Sequence, residues 1–226
     1  MKSKRDDGRG EATRRRMVEA AVRVFGERGY HAVGTRELAD AAGVNQAAIP
    51  YYFGGKDGLH AAAAEDVAAA GRAAFAPVLE RLKGVSLESD DRDALALLVR
   101  AAFGGLTRGL VGPMDTGVRA GFVVREQLQP GPAFDILYDG YIRELHEAIT
   151  SLVATARNVG PRTSRAAIEA HALIGMALAF VVARPALWRR LDWDELGPRR
   201  VNEIEGAVVG LALRALELPE TPEVQS

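Results

Sequence analysis

The chain has 226 residues, of which 48% are hydrophobic, 26% charged and 6% aromatic. Its length allows one large globular domain, or a small one joined to a larger one. Lys and Arg (29) nearly cancel Asp and Glu (30), so bulk charge names no partner. The lack of cysteine excludes disulfide scaffolds, thiolate metal sites and cysteine nucleophiles.

Charge is not spread evenly. Residues 1–56 carry 11 Lys or Arg against 7 Asp or Glu, and the excess of acid lies in the remainder. A basic amino end suits a polyanionic partner. That end, MKSKRDDGRGEATRRR, has no apolar stretch behind it to serve as a secretory signal. The longest apolar run, Ala172–Ala183, is 12 residues, short of a membrane span. A cytoplasmic protein without membrane contact is expected.

Apolar positions recur at three and four nearly throughout, which predicts an all-α fold. Residues 1–11 read as a disordered basic arm. From Ala12 to Arg28, Met17, Ala20, Ala21, Val24 and Phe25 form one stripe, Gly29 ends the helix in a left-handed cap, and Tyr30 folds back onto the stripe. A short helix fits Arg36–Ala42, with Thr35 as its cap and Leu38 facing inward. Gly43 breaks it, Val44 is expected to be buried in the turn, and Asn45 caps a third short helix beginning at Gln46. Lys56 opens a longer helix that Pro77 should kink or end. Further helices are expected near 78–83, 90–110, 117–128, 133–157, 164–184 and 198–218, and 219–226 as a disordered tail.

Two helices of about seven residues joined by a glycine turn cannot fold alone. Packed on the first helix they make a helix-turn-helix. Such a pair lays its second helix in the DNA major groove while the first crosses the phosphates. Gln46 and Ala47 open that second helix, where Gln can pair with adenine and the Ala methyl can touch thymine. Thr35 and Arg36 stand at a helix amino end that favours phosphate. Lys56 begins the next helix, and Tyr51 and Tyr52 offer hydroxyls to the backbone. Arg14, Arg15 and Arg16 add a charge run beside them.

These residues resemble the TetR/AcrR family of one-component transcriptional regulators. The features fall in order without a gap: Phe25, Gly29-Tyr30, Thr35, Leu38-Ala39, Ala42-Gly43-Val44, Tyr52-Phe53, Lys56 and Leu59. The resemblance implies DNA contacts at Arg36, Gln46, Ala47, Tyr51, Tyr52 and Lys56. One departure stands out, Pro50, where the family commonly has a tyrosine that meets phosphate. REQLQPGPAFDILYDGY (125–141) and ALAFVVARPALWRRLDW (177–193) resemble the subgroup with a CecR-type carboxy-terminal domain. The division expected is a DNA-binding domain over 12–58 and a ligand-binding and dimerisation domain over 59–218.

In the larger domain, Val201, Ile204, Val208, Leu211 and Ala215 are spaced like a helix–helix seam, and Ile168, Ala172, Gly175 and Ala179 repeat the pattern. They are the candidate homodimer interface. Phe103, Phe122, Gln127, Phe134, Tyr138, His171 and Met176 are candidates for a small-molecule effector pocket.

The expected function is a regulator, most simply a repressor, that binds a palindromic operator as a dimer and is released by an effector. The alternative is a helical enzyme or adaptor without sequence-specific DNA binding. The enzyme reading has little behind it. His31, His60, His146 and His171 form no HExxH, GGKDG (54–58) lacks the spacing of a phosphate loop, and no GxSxG occurs. No metal or cofactor is expected.

Overall fold

The computed structural model describes residues 3–83, 91–112 and 114–220, with the side chains of 8–83, 91–112 and 117–220. Among the described residues every regular element is helical. The chain falls into two compact units, Met1–Ala70 with Val118–Tyr141, and Gly71–Gly117 with Ile142–Ser226.

The first unit is built on α1 (Ser3–Arg28). Its stripe is buried as expected, and Val18 and Val22 are buried beside it, so the helix is covered on more than one side. Residues 3–11, expected to be disordered, extend this helix toward the amino end. Two glycines in DDGRG hid them, because glycine lowers helix propensity without forbidding it. At the far end Gly29 has φ +79° and donates to the Phe25 carbonyl at 2.7 Å. Tyr30 stacks on Phe25, with ring centroids 6.0 Å apart.

α2 (Thr35–Ala42) is capped by Gly34, not by Thr35. The Thr35 hydroxyl is engaged elsewhere, accepting from Gln46 Nε2 at 2.9 Å. Gly43 closes α2 with φ +63°, and the Val44 amide reaches back to the Ala39 carbonyl at 3.0 Å. Only a residue without Cβ enters that left-handed turn freely. Val44 itself is half-buried. The Asn45 side chain accepts from the Ala47 amide at 2.9 Å, and α3 (Ala48–Phe53) starts two residues later than Gln46.

α4 (Lys56–Lys83) runs on through Pro77, with no separate helix over 78–83. Proline removes one amide bond, to the carbonyl of Ala73. Ala73, Ala74 and Pro77 are all exposed, so water can take that carbonyl. At its start Gly58 lies under the Phe53 carbonyl, where a Cβ would come within 1.8 Å of the oxygen. α6 (Met114–Leu128) and α7 (Pro132–Leu137) supply Phe122 and Leu137 to the unit's core, and a π-helical turn (Tyr138–Ile142) follows.

The second unit centres on α5 (Arg92–Val111), whose Leu95, Ala96, Val99, Ala102, Phe103 and Leu106 are buried. Asp91 caps it, accepting from the amides of Asp93 and Ala94. Around it lie α8 (Arg143–Ala156), α9 (Ser164–Val182), capped by Thr163, and α11 (Pro198–Ala215). α10 (Arg184–Leu191), which sequence periodicity does not mark, has no buried residue. Arg157 ties three ends together, bonding Glu169 on α9 at 2.8 Å, Glu217 at 3.0 Å and the Ala215 carbonyl at 2.6 Å. That guanidinium, and then Arg165, hold the Glu169 carboxyl below the usual carboxylate range.

α5 and α9 are each long and apolar enough to cross a membrane, but the apolar stretch of α5 is 56% buried inside the fold while that of α9 is 22% buried. Of the carboxy-terminal tail expected from 219, residues 221–226 lie outside the described residues.

Candidate nucleic-acid interface

α3 is held from behind and bare in front. Ile49 is fully buried, whereas Gln46, Ala47, Pro50 and Tyr51 are exposed, Tyr51 by 82%. The bond from Gln46 to Thr35 draws the start of the recognition segment against the start of α2, where Arg36 is also exposed. Gln46 therefore stands oriented, with its amide oxygen still available as an acceptor.

Pro50 occupies the third position of α3. The first four amides of a helix have no partner within it, so proline removes a donor that had none to lose. The bond of Tyr51 to the Ala47 carbonyl at 3.3 Å and that of Gly54 to the Pro50 carbonyl at 3.0 Å both form.

The two tyrosines differ. Tyr52 is half-buried, meets Tyr51 edge-on at 5.0 Å, and its hydroxyl faces Gly10 of α1. Tyr51 projects freely. Lys56 Nζ lies 4.0 Å from the centre of the Tyr30 ring, a cation–π contact that holds the ammonium at the start of α4. Asn45 is exposed, its side chain occupied with the turn. Arg14, one of the charge run, rests on the Phe53 ring at 5.2 Å, while Arg15 and Arg16 are exposed.

Two couplings behind this face have no signal in the local sequence. The Tyr30 hydroxyl donates to Asp57, which lifts the Tyr30 pKa chiefly through that bond. His60 on α4 pairs with Glu126 on α6 at 2.9 Å, both buried. Sixty-six residues separate that pair. Only the three-residue and four-residue spacing that turns His60 inward with Leu59 and Ala63 could have raised it.

The candidate dimer residues divide. On α9, Ile168 is 68% exposed, and Ala172, Gly175 and Ala179 lie on the same bare side. On α11, Ile204 and Val208 are buried inside their own unit, where α11 packs along α5. Val201 is half-buried; Leu211 and Ala215 are exposed.

The candidate effector residues divide too. Phe103 and Phe122 are completely buried, each in the core of its own unit. Phe134 and Met176 are half-buried, and Gln127, Tyr138 and His171 are exposed. The rings of Phe134 and Tyr138 stack at 5.9 Å. His171 approaches His146 at 5.6 Å, and the His146 pKa is lowered by burial and then by that neighbour's charge.

Comparison with known proteins agrees with this architecture. Residues 17–63 match the family described as bacterial regulatory proteins, tetR family, and residues 97–217 match the carboxy-terminal domain of the HTH-type transcriptional dual regulator CecR. CecR of Shigella flexneri is 32% identical over 212 residues, covering 92% of this chain and 94% of that protein. The probable HTH-type transcriptional regulator YttP of Bacillus subtilis is 44% identical over 48 residues, covering 21% of this chain and 23% of its own. Among solved structures, a mutant HlyIIR superposes with a TM-score of 0.58 at 18% identity, over 89% of this chain and 96% of that one. AmtR of Mycobacterium smegmatis superposes with a TM-score of 0.55 at 20% identity, over 91% and 86%. These two carry the fold alone. The sequence relatives are transcriptional regulators, not enzymes. A relative of that identity along nearly the whole chain decides the family, and the chain belongs to the tetR family of bacterial regulatory proteins, as a DNA-binding transcriptional regulator with a CecR-type carboxy-terminal domain.

Proposed function

We propose that the protein binds a palindromic operator as a homodimer, represses transcription there, and leaves the DNA when a small-molecule effector occupies the region 59–218. The observation that carries the DNA reading is the bare face of α3 over buried Ile49. Gln46 reads adenine, Ala47 meets a thymine methyl, and Arg36, Tyr51 and Lys56 hold phosphates, with Thr35 and Asn45 fixing the turn between them.

One helix-turn-helix covers a half-site, so a two-fold operator requires a two-fold protein. The uncovered apolar side of α9, with Ile168, Ala172, Gly175, Ala179 and Val182, supports association there. Effector release is a population shift: the ligand favours a form whose recognition helices no longer match the half-site spacing. It acts only through a difference in affinity between the two forms.

Operator selection from a random duplex pool with the full chain tests the reading. A two-fold consensus bound with a steep salt dependence is expected. Binding that ignores sequence, or no binding, would refute it. For the switch, effector and operator must weaken each other by the same factor.

A further inference from the structure

In the amino-terminal unit α4 and α6 meet across a buried histidine–carboxyl contact. His60 Nε2 lies 2.9 Å from Glu126 Oε1, and the residues are 8% and 4% exposed. A buried carboxylate is costly unless its oxygens are hydrogen-bonded. Among the described residues Glu126 has this single bond; its Oε2 has no protein partner and is not sealed from solvent.

A cavity of about 280 Å³ opens beside the pair, with Glu126 and His60 in its wall. Asp57 brings a second carboxylate, and Ala61, Pro130, Pro132 and Ala133 form an apolar side. Arg125 also lines it, but its Nη2 is committed to the Glu27 carbonyl at 2.8 Å. Two carboxylates thus share this lining with one guanidinium.

We infer that this cavity is a binding site for a small organic monocation, a primary amine or amidinium carried on an apolar body. Its nitrogen donates to Glu126 Oε2 and toward Asp57, and its body lies against the alanines and prolines. Charge-assisted bonds of this kind are shorter and about twice as strong as neutral ones. A cavity of about 150 Å³ holds benzene, so this one has room for a ring with an aminomethyl arm. An anion would meet two carboxylates, and a neutral ligand would forgo the charge-assisted bonds. The site is separate from the operator reading, because all its walls belong to one unit and its occupancy is measured without DNA.

Titration calorimetry on the full chain tests this with three matched probes: benzylamine, benzyl alcohol and benzoate. Benzylamine should bind one to one, benzyl alcohol at least about tenfold more weakly, and benzoate not at all. Glu126→Gln should reduce benzylamine to the level of the alcohol. Because that change touches a buried pair, Ala61→Leu provides an independent test. It keeps both carboxylates, fills the cavity from its half-exposed rim, and should abolish benzylamine binding with an unchanged thermal melt. Equal binding of the three probes, no heat from millimolar benzylamine, or undiminished binding to Ala61→Leu would each overturn the assignment.

Discussion

α9 and α11 carry the same spacing of apolar residues and meet opposite fates. In α11, Ile204 and Val208 disappear against α5; in α9, Ile168 is 68% exposed and Val182 55%. A repeat of three and four states that a helix has an apolar face, not which neighbour covers it. The chain already has a partner for α11, so that helix spends its stripe at home. α9 buries Ala166, Ala170, Leu173 and Ala177 on one side and keeps a second apolar side uncovered. A helix apolar most of the way round needs cover on several sides, and the fold provides one of them.

Substitution can break this contrast. Val208→Asp buries an unpaired charge and should cost about 3–5 kcal/mol of folding stability, read as a lower urea midpoint. A purely monomeric but fully stable Val208→Asp would return α11 to the interface. Ile168→Asp should leave the helical circular dichroism spectrum unchanged while sedimentation velocity changes from dimer to monomer. A dimer that survives would place the contact elsewhere.

α3 repeats the contrast on a smaller scale, with Ile49 fully buried and Gln46 bare, and there the difference sharpens the account of base reading. Gln46→Ala should relax preference at one operator position by about 1–3 kcal/mol, measured by competition among single-base variants. A uniform loss over all sequences would make Gln46 a backbone contact. Lys56→Ala should have the smallest effect, lowering affinity alike for all sequences and reducing the log–log salt slope by about one.

The turn chemistry was legible in the sequence because it is local. Gly29 occupies the left-handed turn expected of it, Gly43 breaks its helix as expected, and Asn45 engages the amide of Ala47. Thr35 misled, since a threonine before a helical stretch reads as a cap, while a long-range partner, Gln46, had claimed its hydroxyl. Pro77 misled in the other direction: where the opposing carbonyl can reach water, a helix carries a proline through. The division of α9 and α11, the coupling of His60 to Glu126 and the cavity beside it depend on residues far apart in the chain. Periodicity holds no record of such meetings.

Pro50 has a thermodynamic corollary. Its ring fixes one backbone angle in a helix only six residues long, and the same ring narrows the conformations open to the denatured chain. A reading head stiffened in advance gives up little freedom when it docks, so its association with DNA should carry a smaller entropic penalty than that of a relative with an ordinary residue there.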